Sequence, residues 1–252
     1  MPKVDDFFSI NNTVNRLSND DLEQVFDYLE PIRAFARTTN KSLYVINYQT
    51  RGFEYVSENP LFLCGYSADE VKEMGYEFYL KNVPAKDLQL LLKINTVGFD
   101  FYERIPIAER KQYTISYDFQ LLHQNGRTIL INQKLTPLFL TQAGKIWKGL
   151  CIVSLSAASN SGNIKINKAG SNIVFSYDLA GNCWIKDEQI ALTEREIEIL
   201  RLSVRGLTIS EIAEKIFLSV DTIKFHRRNI FKKLEVSNIS EAISSAVNNK
   251  LI

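Results

Sequence analysis

The sequence predicts an α+β protein: an antiparallel sheet with flanking helices, a short β arm, and a C-terminal domain of four helices. Three observations carry this. Strict apolar/polar alternation starts at Tyr113 and continues through turn signals into two more strand-like runs. Four short segments between Leu192 and Ile252 repeat apolar residues at helical spacing. Between these regions, Ala157-Ala-Ser-Asn-Ser-Gly162 is small and polar, as a boundary should be. The expected divisions are residues 1–32, a helical extension; 33–156, the sheet domain; 157–189, a linker with short strands; and 190–252, the helical domain.

Taken in order, Ser18 to Leu29 opens with cap residues and acids, and Leu22, Val25, Phe26 and Leu29 share one helical face. Helix is expected to resume after Pro31 and run to Thr38. Leu43–Tyr48 and Phe53–Ser57, separated by a turn containing Gly52, read as a hairpin. Short helices are expected at Pro60–Cys64, Ser67–Met74 and Pro84–Ile94. Tyr113, Ile115, Tyr117, Phe119 and Leu121 then alternate with polar residues, the period of a sheet with one covered face. Asn125-Gly126 is a hairpin turn signal because both residues tolerate positive φ. Strands follow at Arg127–Leu140 and Ile146–Leu155. In the linker, Ile164–Ile166, Ile173–Tyr177 and Cys183–Ile185 read as a small β arm, with Trp184 as its anchor.

In the last region, Thr193 with Glu196 and Thr208 with Glu211 have capping-box spacing, and Ser219 can cap a third helix. Ile197, Leu200 and Val204 form one apolar face, and Ile212, Ala213 and Ile216 another. The third helix, Ser219–Leu234, carries five basic side chains and one acid. Val220, Ile223, Ile230 and Leu234 define its buried stripe, while Lys224, Arg228 and Lys232 follow at i, i+4 and i+8. Two helices joined by the tight connection Leu218-Ser219, the second basic, form a helix-turn-helix pattern, and a DNA major groove admits one such helix. The last segment, Ser237–Val247, has small apolar residues that can pack on the other three helices, on a second copy, or on both.

Whole-chain charge is uninformative. The chain of 252 residues has net charge +1, and residues 189–252 hold ten Lys/Arg and eight Asp/Glu, so only local clustering speaks. Apolar content of 45% supplies ample core for one or two domains. No run of about eighteen apolar residues is present, so no membrane span is expected. Met1-Pro-Lys-Val-Asp-Asp lacks the pattern of a signal peptide, and Cys64, Cys151 and Cys183 form no CxxC pair. A cytoplasmic protein with reduced thiols is the expectation. The two histidines, His123 and His226, stand apart from any metal-ligand spacing, and no nucleophile–base constellation or phosphate loop occurs. No enzyme activity and no cofactor are expected.

The C-terminal region resembles the LuxR (NarL-type) helix-turn-helix domain of bacterial transcription regulators. The matching residues are Leu192-Thr-x-Arg-Glu196, Gly206-Leu207, Glu211-Ile-Ala213, Ser219, Thr222-Ile-Lys-x-His226, Asn229-Ile230, Lys233-Leu234 and Glu241-Ala242. The resemblance implies a third helix in the major groove and a fourth that forms the dimer contact, here through Ala242, Ile243 and Ala246. It puts Lys224, Phe225 and Arg228 where bases are touched, and Thr222, Asn229, Lys232 and Lys233 where phosphates are met. Phe225 has two readings, a ring on a thymine methyl or one half-buried on the scaffold helix. The sequence departs from the family at Ile209-Ser210, where Asn-Lys is commoner, at Glu235, where Gly is usual, and at Ile239, where Arg is usual.

The earlier region resembles the PAS domain, a sensor and dimerisation module. Phe53-x-Tyr-Val-Ser-x-Asn59, Leu63-Cys-Gly-Tyr-Ser67 with Glu70, Val83-Pro-Ala-Lys-Asp-Leu88 and His123-Gln-Asn-Gly126 carry the likeness. The flavin-attaching Asn-Cys-Arg motif, an axial haem histidine on the long helix, and a phosphorylatable receiver pattern are all missing. Tyr44, Tyr48, Tyr76, Phe78, Tyr79, Tyr113, Tyr117 and Phe119 either line a cavity for an apolar or aromatic ligand or fill an ordinary core. The combined expectation is a dimeric regulator that binds double-stranded DNA, without membrane contact. Its PAS-like domain receives a small-molecule or protein signal; the alternative is a protein-interaction and dimerisation module that binds nothing small.

Overall fold

The computed structural model describes residues 2–23, 28–171, 173–188, 191–248 and 251–252. The chain divides into two compact units, Met1–Asp187 and Glu188–Ile252. In the first, a 3₁₀ turn at Val4–Phe7 precedes α1 (Asn19–Glu23) and α2 (Leu29–Thr38). The expected helix through Leu29 is thus split; Val25 and Phe26 lie outside the described residues, and Leu22 is exposed. Pro31 sits within the first turn of α2, where its missing N–H leaves no helical bond unmade.

Strands β1 (Ser42–Asn47) and β2 (Gly52–Val56) form the expected hairpin, and its left-handed turn residue is Arg51 rather than Gly52. Next come α3 (Pro60–Leu63), α4 (Ala68–Met74), α5 (Glu77–Asn82) and α6 (Ala85–Glu103). Ser67 and Glu70 cap α4 reciprocally. Helix α5 was not expected from the sequence, and α6 runs nine residues past Ile94. Asn95, Thr96, Val97 and Gly98 are poor helix formers, and packing overrides their propensity here. A Cβ at Gly98 would stand 2.9 Å from Ile115, so the glycine lets α6 lie close against the sheet.

Three long antiparallel strands follow: β3 (Tyr113–Leu122), β4 (Thr128–Leu140) and β5 (Ile146–Leu155). The link between β3 and β4 is wider than a two-residue turn: the His123 N–H donates to Arg127 (2.8 Å), and Gly126 takes the positive φ. Two strands, helices, then three long strands is the layout of the PAS resemblance. β1 lies between β2 and β5 in the sheet, and Leu43-Tyr-Val-Ile46 is buried on both faces. Leu43 and Val45 pack with Ile32 of α2; Tyr44 and Ile46 face the main core.

The arm consists of β6 (Gly162–Lys168), β7 (Ile173–Asp178) and β8 (Cys183–Glu188), and it continues the sheet in the order β2-β1-β5-β4-β3-β6-β7-β8. Trp184 packs on Phe101 of α6 and on Tyr177, with ring centroids 5.0 Å apart in each case. Two buried carboxylates fasten the polar connector: Asp87 accepts from Ser161 Oγ (2.6 Å), and Asp118 from Asn163 Nδ2 (2.8 Å). Asp118 occupies a position that alternation assigned to solvent, and the connector and Asn132 cover it.

The second unit holds α7 (Glu194–Val204), α8 (Ile209–Lys215), α9 (Val220–Leu234) and α10 (Ile239–Asn248). Both expected capping boxes form, and the Ser219 side chain accepts from the Thr222 N–H. Ile199, Leu200, Ile212, Ile223 and Ile230 are fully buried in one core. Val204 and Val220, expected inside, are exposed at 54% and 37%. Val204 is the last residue of α7 and Val220 the first of α9, so each stands at a helix end. Glu235 ends α9 at φ 55°, adopting the left-handed cap that glycine makes without strain.

Candidate nucleic-acid interface and an interior cavity

Helix α9 is held by its apolar side. Ile223, Ile230 and Leu234 insert among Leu200, Ile212 and Ala242, which leaves the opposite side outward. On that side Lys224, Phe225, Arg228 and Lys232 are exposed, and Thr222 and Asn229 are half-buried beside them. Lys224 has only an exposed i,i+3 contact with Asp221 at 3.4 Å, worth little in water. Arg228 and Lys232 have no ion-pair partner among the described residues. The Phe225 ring is 53% exposed and sits edge-on to His226, which favours the outward of its two readings. The Thr222 hydroxyl hydrogen-bonds that of Ser219 at 2.8 Å, so the cap engages it.

Lys233 is placed differently. Its ammonium donates to the Glu196 carboxylate (2.7 Å) and to the Ala191 carbonyl (3.2 Å), tying α9 to the start of α7. Glu196 is 2% exposed and also accepts from the Thr193 N–H at 2.8 Å. Burial pushes its carboxyl up, but Lys233 and the amide and hydroxyl of Thr193 outweigh burial and hold it below the ordinary value. On α10, Ala242 and Ala246 are fully buried in the domain's own core. Ile243 is half-buried, and Val247 reaches the surface. Sequence reasoning missed Arg227, whose guanidinium lies 5.6 Å over the Phe231 ring, because neither residue falls on the stripe that drew attention.

The N-terminal unit holds a partly open cavity of about 80 Å³ between α6 and the sheet. Tyr48, Tyr76, Tyr79, Tyr113 and Tyr117 line it, whereas Tyr44, Phe78 and Phe119 pack in the core around it. The aromatic set therefore divides, some of it bordering the cavity and the rest filling the core. Gln133, Tyr102 and Phe7 also line the cavity and were not foreseen. Gln133 had a legible signal: it pairs in register with Tyr117, so an amide stands at an inward position. It donates to the Tyr117 hydroxyl (2.6 Å) and accepts from Tyr44 (2.7 Å), and Tyr44 meets the Tyr79 hydroxyl. Burial pushes the Tyr44, Tyr79 and Tyr117 hydroxyls well above the ordinary value, so all three are neutral at pH 7. Among the described residues, no helix is long and apolar enough to cross a membrane and no group of three metal-ligating side chains occurs.

Residues 190–246 match the family model of bacterial regulatory proteins, luxR family. Oxygen regulatory protein NreC of Staphylococcus haemolyticus is 27% identical over 136 residues, 54% of this chain and 58% of that protein. Transcriptional regulatory protein LiaR of Bacillus subtilis is 44% identical over 62 residues, 25% of this chain and 29% of its own length. The chain thus spans less than two thirds of these relatives. Among solved structures, the Vibrio cholerae VqmA dimer is 15% identical with a TM-score of 0.33, covering 89% of this chain and 88% of that one. Residues 190–246 form a LuxR-family helix-turn-helix domain, joined in one chain to an antiparallel sheet domain with flanking helices.

Proposed function

We propose that the protein is a transcription regulator that inserts α9 into the DNA major groove as a dimer, under control of its PAS-like domain. One observation carries the reading: the Lys224–Arg228–Lys232 stripe faces outward because the opposite side of α9 is locked in the domain core. Lys224, Phe225 and Arg228 contact bases. Thr222, Asn229 and Lys232 meet phosphates, and a phosphate role for Lys233 would compete with its bond to Glu196. The second copy meets α10 through Ile243 and Val247, since Ala242 and Ala246 are already covered. The cavity supports a small-molecule signal over a purely protein-binding role for the sheet domain.

The test is duplex affinity of the full chain, on sequences selected from a random pool, as a function of salt. With three or four phosphate contacts per protomer, a dimer gives a log–log slope of about −5 to −7. Lys224→Ala or Arg228→Ala should cost about 1–3 kcal/mol on the selected site and relax its sequence preference. Lys232→Ala should weaken selected and random duplexes alike and flatten the slope by about 1 per protomer. Equal losses on all duplexes for all three variants would refute the base-contact roles.

A further inference from the structure

We propose that Arg227, stacked on Phe231, is a further phosphate clamp of α9, gripping the DNA strand opposite the one that Thr222 and Asn229 meet. The inference deepens the reading of α9 as the groove helix and rests on it. Successive residues of a helix turn by about 100°, so the outward stripe Lys224–Arg228–Lys232 divides the surface of α9 into two flanks. Thr222, Asn229 and Lys233 lie on one flank. Val220, Arg227 and Phe231 lie on the other, where Val220 is 37% exposed and Arg227 and Phe231 are half-buried. A helix with its side chains is about 10–12 Å across and the major groove about 12 Å wide, so both flanks run beside a phosphate wall. Arg227 is the cation that α9 offers to the second wall.

The geometry leaves its donors free. The guanidinium carbon lies 5.6 Å over the Phe231 ring centroid, one helical turn further on. A ring takes the face of a guanidinium, whereas the five N–H donors point outward in its plane and remain for an acceptor. Among the described residues no carboxylate or carbonyl engages them. Other cations of the domain are committed: Arg195 to Glu198 and the Ile216 carbonyl, Lys233 to Glu196 and the Ala191 carbonyl. Lys224 stands three residues before Arg227 and Arg228 one after, with Asp221 as the single acid of α9. Like charges so placed repel, and an anion between them relieves the repulsion. A free arginine loses rotamer freedom when it is fixed, and stacking on Phe231 removes part of that loss before DNA arrives. The planar fork then matches two phosphate oxygens at once, which an ammonium does not. Phe231 is thus a positioning residue: its ring holds Arg227 without touching the duplex.

The experiment is phosphate ethylation interference, with gel retardation of the full chain on a duplex selected from a random pool. Ethyl groups on phosphates of both strands should block the wild type. In Arg227→Ala the interference on one strand should disappear while that on the other remains. Affinity for selected and random duplexes should fall about tenfold per half-site, the loss of a charged hydrogen bond, and the salt slope should flatten by about 0.9 per protomer. Arg227→Lys should keep the slope and still lose affinity, since the charge stays and the fork is gone. Phe231→Leu keeps an apolar side chain on the core; it should lose about two- to fivefold with the slope unchanged, and Phe231→Tyr should restore binding. The Phe231→Leu loss should vanish in the Arg227→Ala background, whereas a purely structural ring would weaken binding equally in both. If Phe231→Leu fails to fold, Arg227→Lys and the interference pattern still decide. The proposal is overturned by wild-type affinity or an unchanged interference pattern in Arg227→Ala, by equal Phe231→Leu losses in the two backgrounds, or by an Arg227→Ala loss confined to the selected site, which would make it a base contact. In each of those cases, losses in Lys224→Ala and Arg228→Ala still uphold α9 as the groove helix. A wild-type chain that retards no duplex overturns that reading and this one together.

Discussion

The two units of this chain solve the same problem by different means. The helical domain is built from local signals: a cap three residues before its partner, and an apolar stripe at helical spacing. Its ion pair between Glu196 and Lys233 then orients α9 against α7. The sheet domain depends on pairings between distant residues, with β1 meeting β5 across about a hundred positions and β3 meeting both β4 and β6. Its interior also holds a cavity lined in part by tyrosines. The contrast lies in the range of the interactions that build each unit. A locally specified module presents a cationic face, and a non-locally assembled sheet leaves space inside.

The sharpest way to break the comparison is to unfold one unit alone. Ile223→Ala, at a fully buried position, should cost the helical domain about 2–5 kcal/mol. Trp147 and Trp184 both belong to the sheet domain, so tryptophan fluorescence should melt at an unchanged midpoint while part of the helical circular dichroism is lost earlier. A shared, lowered midpoint in both signals would mean that the units are not independent.

A smaller effect is expected from Lys233→Ala. It removes the main cation from a buried carboxylate, but the lysine itself is about a third exposed and solvent screens part of the loss. A cost of about 1–3 kcal/mol in the helical domain is anticipated from urea denaturation. At saturating stability its salt slope for DNA should match the wild type, unlike that of Lys232→Ala. A flattened slope would return Lys233 to the phosphate contacts.

The smallest and most discriminating effect is in acid. Glu196 has a lowered pKa, so its contribution is complete above the unfolded value of about 4.3 and is lost as pH falls through its folded value. Asp118 in the sheet domain is raised, because burial outweighs the hydrogen bonds from Asn132, Asn163 and Ser156 and the charge of Lys165. Its folded state takes up the proton first, so its contribution grows as pH falls through the raised value towards about 3.9. Denaturation of Glu196→Gln and Asp118→Asn across this window should therefore remove pH dependences of opposite sign. Changes of the same sign in both variants would contradict the two environments.

Legibility followed the range of the interactions. The capping boxes at Thr193 and Thr208 and the stripe on α9 were readable because every residue involved lies within a few positions of its partner. The extension of α6 past Asn95 was not, since it depends on Gly98 meeting Ile115 on a strand that has yet to be made. Val204 and Val220 followed the apolar period, but the period does not say which of its members lie at helix ends open to solvent. The inward tyrosines were visible from alternation; which of them border space and which touch one another was not.

By itself, then, the order of residues determined the class of each domain, the helix-turn-helix and the face of α9 that carries charge, because helical and strand periods act through nearest neighbours along the chain. Only the folded chain decided that Lys233 turns to Glu196, that Ala242 and Ala246 are buried at home, and that Tyr102 borders a cavity. Each of these depends on which distant side chains share the same few ångströms, and no period along the sequence encodes that distance.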